Sequence, residues 1–162
     1  KELTHKMEID KLTGLFDKIT AENSCRKYLV EGGTGVLLIF DIDNFKKVND
    51  CCGHSKGDDI LRNVGKILRL FCRSDDIAGR VGGDEFLVFL KEMKDRETVR
   101  QRLEVLKGQI RELGKSREVD ISCSIGVVFA PEDGGDFDRL FNSADQAMYK
   151  AKGQGKDCYK FY

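Results

Sequence analysis

The chain has 162 residues, enough for one domain with a real core and no need of metal or disulfide staples. Its 28 basic and 28 acidic residues cancel, so bulk charge predicts neither nucleic-acid nor membrane binding. No apolar run approaches a bilayer span and no signal-peptide pattern opens the chain, which points to the cytoplasm. Cys25, Cys51, Cys52, Cys72, Cys123 and Cys158 lack C-x-x-C spacing, and several fall at apolar positions of periodic segments. Buried free thiols in a reducing compartment are therefore expected. Adjacent Cys51-Cys52 suggests redox chemistry, but no charged pattern beside it stabilises a thiolate.

Lys1 to Ile9 is charged and weakly periodic, as the end of a helix entering from upstream would be. The chain has no initiator methionine and starts in mid-pattern, so a piece of a longer protein is expected. Asp10 to Leu15 breaks the pattern, with Gly14 permitting a turn. A helix follows from about Asp17 to Val30, closed by Gly32-Gly33. Val36 to Phe40 is an unbroken apolar run of strand length, expected to be buried on both faces. It ends in Asp41-Ile42-Asp43. Asp43 reads as the cap of the next helix. Asp41 has no such account, because a carboxylate ending a buried strand is costly without a compensating positive charge. A hard divalent cation, which selects oxygen ligands, supplies one. The amides of Asn44 and Phe45 then open a helix N-terminus, a ready anion site. Lys46 stands in the first turn, where the dipole disfavours a cation unless a phosphate is present. Metal, helix N-terminus and lysine together describe a triphosphate site.

Asn49 to His54 reads as a polar turn, and Ser55-Lys56-Gly57-Asp58 as a capping box. The next helix places Ile60, Leu61, Val64, Ile67, Leu68 and Phe71 on one face and ends at Arg73-Ser74-Asp75-Asp76. Two strand-like segments, Asp76 to Val81 and Phe86 to Leu90, flank Gly82-Gly83-Asp84-Glu85. This is a hairpin whose glycines are expected to supply the positive φ of a tight turn. Side-chain-free backbone followed by two carboxylates also lets a phosphate approach closely. Val99 to Leu113 steps by four and three as a second core helix, stopped by Gly114. Val119 to Val127 alternates as a strand covered on one face. Pro131 opens a Gly-rich loop, and Phe137 to Met148 is a third amphipathic helix, with Lys150, Lys152 and Lys156 near its end. Cys158 to Tyr162 closes the chain as a short strand.

Gly82-Gly83-Asp84-Glu85-Phe86 resembles the signature of the GGDEF family, the diguanylate cyclases. The resemblance extends to Asp10 through Leu15, Asp41 through Asp58, Ser124-Ile125-Gly126, and Ala144-Asp145 through Ala151-Lys152. It covers residues 8 to 162, leaving 1–9 as the end of an upstream linker helix and 10–162 as the domain. It implies an α/β fold of the α+β type: a palm-like central mixed sheet flanked by helices, similar to nucleotidyl cyclase catalytic domains. It also implies condensation of two GTP into cyclic di-GMP and two pyrophosphates, with Mg²⁺ or Mn²⁺, two ions per active site. Asp41, Asp84 and the backbone carbonyl of Ile42 would hold metal, and Asp84, Lys46 and Glu85 would form the catalytic group. Asn49 and Asp58 would bind guanine, with His54 shaping the turn nearby. Asn44, Phe45, Lys46, Gly82, Gly83, Lys152 and Lys156 would face the phosphates. Lys156 stands where the family commonly has arginine, keeping the charge but losing the bidentate fork. Arg73 and Asp76 match the family's R-x-x-D motif, which binds cyclic di-GMP and inhibits. Each domain would carry half an active site, so a second copy is an implied partner, as is an upstream sensory or regulatory domain. Nucleic acid is not. Two alternatives stand beside this reading. One is a catalytically silent module sensing cyclic di-GMP or GTP, which the intact Asp41, Asp84 and glycines oppose. The other is a cyclase of relaxed base choice, which Asp58 opposes.

Overall fold

A computed structural model describes residues 6–162 of the protein. Among them the elements run α1 (Lys18–Val30), β1 (Gly35–Asp43), α2 (Phe45–Cys52), α3 (His54–Phe71), β2 (Ile77–Arg80), β3 (Glu85–Lys91), α4 (Arg96–Ser116), β4 (Ser122–Ala130), α5 (Phe137–Gly153) and β5 (Cys158–Phe161). Lys1 to His5, part of the expected linker helix, lie outside the described residues. Lys6 to Glu8 are not helical, and Ile9 bridges to Phe16 instead.

The strands form one mixed sheet in the order β2-β3-β1-β4-β5, antiparallel except for β4 and β5. This is the expected α+β architecture. β1 sits at the centre and is buried along its whole length. Its alternating side chains serve two cores. Val36, Leu38 and Phe40 meet α3 and α4 on one face, and Leu37 and Ile39 meet α1 and α5 on the other. Phe40 stacks on Phe86 of β3 with ring centroids 5.4 Å apart. Each such buried ring contributes about 1.5–3 kcal/mol over an exposed one.

Several local expectations are corrected. β1 continues through Asp43, because Asp41 pairs with Glu85 and Ser124, and Asp43 with Ser122. The residue capping α2 is therefore Asn44, in the left-handed region at φ 66° and with no side-chain cap bond. Asn49 to Cys52 is the second half of α2 and not a turn, because Phe45 and Val48 are buried and anchor the helix. α3 starts directly after Gly53, whose φ of 87° makes the reversal, so Ser55 to Asp58 caps nothing. α4 runs through Gly114, because that glycine meets Ile121 and the Val119 carbonyl where a Cβ would clash. β4 begins at Ser122 and is covered on both faces. Of the cysteines, Cys25 and Cys123 are buried, whereas Cys51 and Cys52 are exposed at the end of α2.

Candidate active site at the carboxylate end of the central strand

Asp41 and Glu85 are direct cross-strand partners, so two carboxylates face one another on one side of the sheet. Like charges in that position repel. Asp84 precedes Glu85, and its backbone carbonyl accepts a hydrogen bond from the Ile42 N–H at 3.1 Å. Burial, and then the charges of Asp145, Asp41 and Asp84, push the Glu85 carboxyl above its ordinary range. Asp41 is 8% exposed and its carboxyl is also pushed up, first by burial. Lys152, from the last turn of α5, ion-pairs with one oxygen of Asp41 and opposes that shift without cancelling it. Burial alone would lower the Lys152 ammonium, but its bond to Asp41 and the neighbouring carboxylates hold it above its ordinary value. One lysine thus faces a surplus of negative charge. The other oxygen of Asp41, Oδ1, is buried and has no hydrogen-bond partner among the described residues.

An orphaned carboxylate oxygen, repelling cross-strand acids and an all-oxygen donor set fit a hard divalent cation of the Mg²⁺ or Mn²⁺ type. No cluster of three or more His, Cys, Asp or Glu side chains is arranged to hold a metal among the described residues. Asp41 and Asp84 would therefore need oxygens from backbone, substrate or water to complete the shell, as is usual for Mg²⁺ beside phosphates.

The Gly82-Gly83 turn projects next to these acids. Neither glycine has a positive φ. The turn is closed by bonds from the Val81 and Gly82 N–H groups to the Glu85 carbonyl, at 2.9 and 3.2 Å. A Cβ on Gly83 would meet nothing within 4 Å. The fold therefore does not demand glycine there; the conformational reason fails, and close approach by a ligand remains. Arg80 braces the turn by donating through Nε and Nη2 to the Gly83 carbonyl at 3.0 and 2.9 Å. Its Nη1 reaches Asp10 at 3.3 Å, and Asp10 accepts the N–H and hydroxyl of Thr13. Arg80 begins the same run as the glycines, yet its bracing role rests on contacts with Gly83 and Asp10 that no local spacing marks.

Around this centre the other predicted residues separate into two groups. Asn44, exposed Lys46 and Lys156 border it: Lys156 Nζ lies 3.4 Å from Asn44 Oδ1, and the first turn of α2 carries no acid. The Phe45 side chain is buried in the core and anchors this end of α2. Asn49 packs on Gly57, where a Cβ would lie 2.0 Å from its Oδ1, so α2 and α3 bring Asn49 beside exposed Asp58. His54 is exposed at the start of α3. Arg73 and Asp76 lie elsewhere, at the open end of the β2–β3 hairpin. Asp76 accepts the N–H of Arg73 and of Lys91, each at 2.9 Å. Lys91 ends the seven-residue β3; strand rise puts this motif about 20 Å from the turn.

A strand end lined with acids, a glycine turn and a nearby helix N-terminus thus meet at one edge of this α+β domain. Residues 7–158 match the family described as "Diguanylate cyclase, GGDEF domain", and the chain belongs to the GGDEF family. It is 33% identical to the diguanylate cyclase DgcS of Shewanella oneidensis over 99% of this chain and 54% of that protein. The chain thus spans about half the length of that curated relative. Among solved structures it resembles the diguanylate cyclase SiaD of Pseudomonas aeruginosa, crystallised with its activator SiaC. That match has a TM-score of 0.85 at 30% identity, over 95% of this chain and 61% of that one. It also resembles a microbial GGDEF domain solved with cyclic di-GMP, with a TM-score of 0.78 at 31% identity, over 95% and 96% of the two chains. No helix among the described residues is long and apolar enough to cross a membrane.

Proposed function

We propose that this domain condenses two molecules of GTP into cyclic di-GMP with release of two pyrophosphates. The observation that carries the reading is the orphaned, buried Asp41 oxygen among facing carboxylates, beside a turn whose Gly83 the fold does not need. Bound Mg²⁺ or Mn²⁺, two ions per site, would neutralise charge on the α-phosphate and the departing pyrophosphate. Asp41, Asp84 and the Ile42 carbonyl are the groups that would hold it. Asp84 accepts the proton of the attacking ribose 3′-hydroxyl, with Glu85 beside it. Lys46, Lys152 and Lys156, with the Asn44 and Phe45 amides, bind and orient the triphosphate. Asn49 and Asp58 read the guanine. The hydroxyl and the phosphate it attacks belong to different nucleotides, so two copies of the domain must face one another. Incubation with GTP and Mg²⁺, with the product identified by mass, should yield cyclic di-GMP at a rate that rises faster than linearly with protein concentration. GTP bound but unchanged would replace this reading with a sensing module.

Base choice gives a separate expectation. Asp58 caps no helix, so its carboxylate is available to accept from the guanine ring N–H and amino group. Asp58→Ser should narrow the preference for GTP over ATP, which in hydrogen-bonding sites reaches on the order of 10⁴-fold. An unchanged ratio of kcat/KM for the two nucleotides would remove Asp58 from the base site.

Product inhibition is proposed at Arg73 and Asp76. Asp76 already holds its own turn through two backbone donors, whereas the Arg73 side chain is exposed and able to pair with phosphate or a guanine edge. Arg73→Ala should raise the cyclic di-GMP concentration needed for half-inhibition by about ten-fold or more. Equal product binding by calorimetry before and after the substitution would show that no inhibitory site exists there.

A further inference from the structure

Asp43 stands two residues beyond Asp41 on the same side of β1, is 3% exposed, and is spoken for on every side. Its Oδ2 accepts the Ser122 hydroxyl at 2.6 Å and the Asp157 N–H at 3.0 Å, and its Oδ1 accepts the Ser124 hydroxyl at 2.7 Å. Strand pairing fixes the two serines, because Ser122 is the partner of Asp43 and Ser124 that of Asp41. The third donor comes from the loop between α5 and β5. There Lys156 and Asp157 both adopt the left-handed region, at φ 65° and 48°. Two consecutive non-glycine residues in that region are unfavourable and persist only where surrounding contacts hold them. One such contact is the Asp43 bond. Another is the pairing of Asp157 with Arg111 of α4, Nε to Oδ2 at 3.3 Å. This backbone aims Lys156 at Asn44, the left-handed residue that follows Asp43 and opens α2.

We infer that Asp43 is a positioning residue: its carboxylate clamps the 156–157 backbone so that Lys156 meets the α2 N-terminus, and it acts by accepting hydrogen bonds and not by holding metal. The inference rests on the nucleotide reading above, since Lys156 and that terminus are its proposed triphosphate contacts. Charge and hydrogen bonding separate cleanly in this geometry. An asparagine placed with its carbonyl toward Ser122 and Asp157 keeps those two bonds, and its amide can donate to the Ser124 hydroxyl oxygen. Alanine keeps none.

The test compares Asp43→Asn and Asp43→Ala by amide hydrogen exchange at Asp157 and by calorimetric binding of a non-hydrolysable α,β-methylene analogue of GTP with Mg²⁺. Expected is fast Asp157 exchange and about ten-fold weaker analogue binding in Asp43→Ala, with Asp43→Asn close to the parent in both. If Asp43→Asn binds the analogue as poorly as Asp43→Ala, the charge is what matters and the inference is overturned. Unchanged Asp157 exchange in Asp43→Ala overturns it equally. Should Asp43→Ala fail to fold, Ser122→Ala combined with Ser124→Ala loosens the same carboxylate, and the same two readouts decide. If the parent protein binds no analogue, the cyclase reading fails, and the exchange at Asp157 still decides the clamp.

Discussion

Asp84→Ala is expected to abolish turnover while leaving the fold as it is. The backbone carbonyl of Asp84 accepts from the Ile42 N–H, and that bond survives any side-chain change. Its side chain is absent from both hydrophobic cores, so removal opens no cavity. A melting temperature within about 2 °C of the parent follows, since well under 1 kcal/mol is at stake. The chemistry has no such reserve. Asp84 is proposed both to bear on the metal and to take the hydroxyl proton, and its loss leaves Asp41 and Glu85 facing each other without it. Loss of a single preorganised electrostatic group of this kind costs on the order of 10²–10³-fold, and a shared metal and proton role costs more. Steady-state cyclic di-GMP formation together with a thermal melt makes the check. Wild-type turnover in a folded Asp84→Ala protein would place the site elsewhere; a collapse in stability would make Asp84 a structural residue.

How far the sequence carried the fold depended on whether each signal was local. The apolar run from Val36 to Phe40 identified β1 as a doubly buried strand because its burial reaches into both cores. Periodicity likewise placed the core faces of α3, α4 and α5. Asp43 is not the cap of α2, and the cause is non-local. Its three donors lie 79, 81 and 114 residues away, where no spacing rule reaches. Asn49 to His54 has turn-like polarity, yet the helix runs through Cys52 because Phe45 and Val48 are anchored in the core. Of the two reasons for Gly82 and Gly83, the conformational one fails, since neither has a positive φ, and close approach by a ligand is the one that remains. The carboxylates were legible as a group because acids ending a buried strand had no other account. Their electrostatic surplus over Lys152, and the bracing of the turn by Arg80 and Asp10, needed the pairing of β1 with β3 and the return of α5.

The same contrast between local and distant causes yields the largest expected loss of stability. The alternation of Asp120, Ser122, Ser124 and Gly126 suggested a solvated face of β4, but α5 lies against it. A Cβ on Gly126 would fall 1.8 Å from the Ala144 carbonyl oxygen and 2.5 Å from the Met148 N, both helix backbone atoms. Backbone cannot rotate aside as a side chain can, so Gly126→Ala must push α5 off the sheet. Overpacking of this kind costs about 1–3 kcal/mol and occasionally more. For a chain of this size about 3 kcal/mol lowers Tm by roughly 10 °C. Because α5 delivers Lys152 to Asp41 and leads into the loop carrying Lys156, nucleotide binding should fall with it. Gly83→Ala is the control at the other extreme. Its added methyl enters open space in an ordinary backbone conformation, so Tm should move by no more than about 2 °C. Affinity for GTP should nonetheless drop, because that methyl stands where the triphosphate is proposed to approach. Thermal melts and nucleotide titrations of the two variants separate the roles. A Gly126→Ala protein melting with the parent would mean α5 does not lie this close to β4, and undiminished GTP binding in Gly83→Ala would remove the turn from the phosphate site.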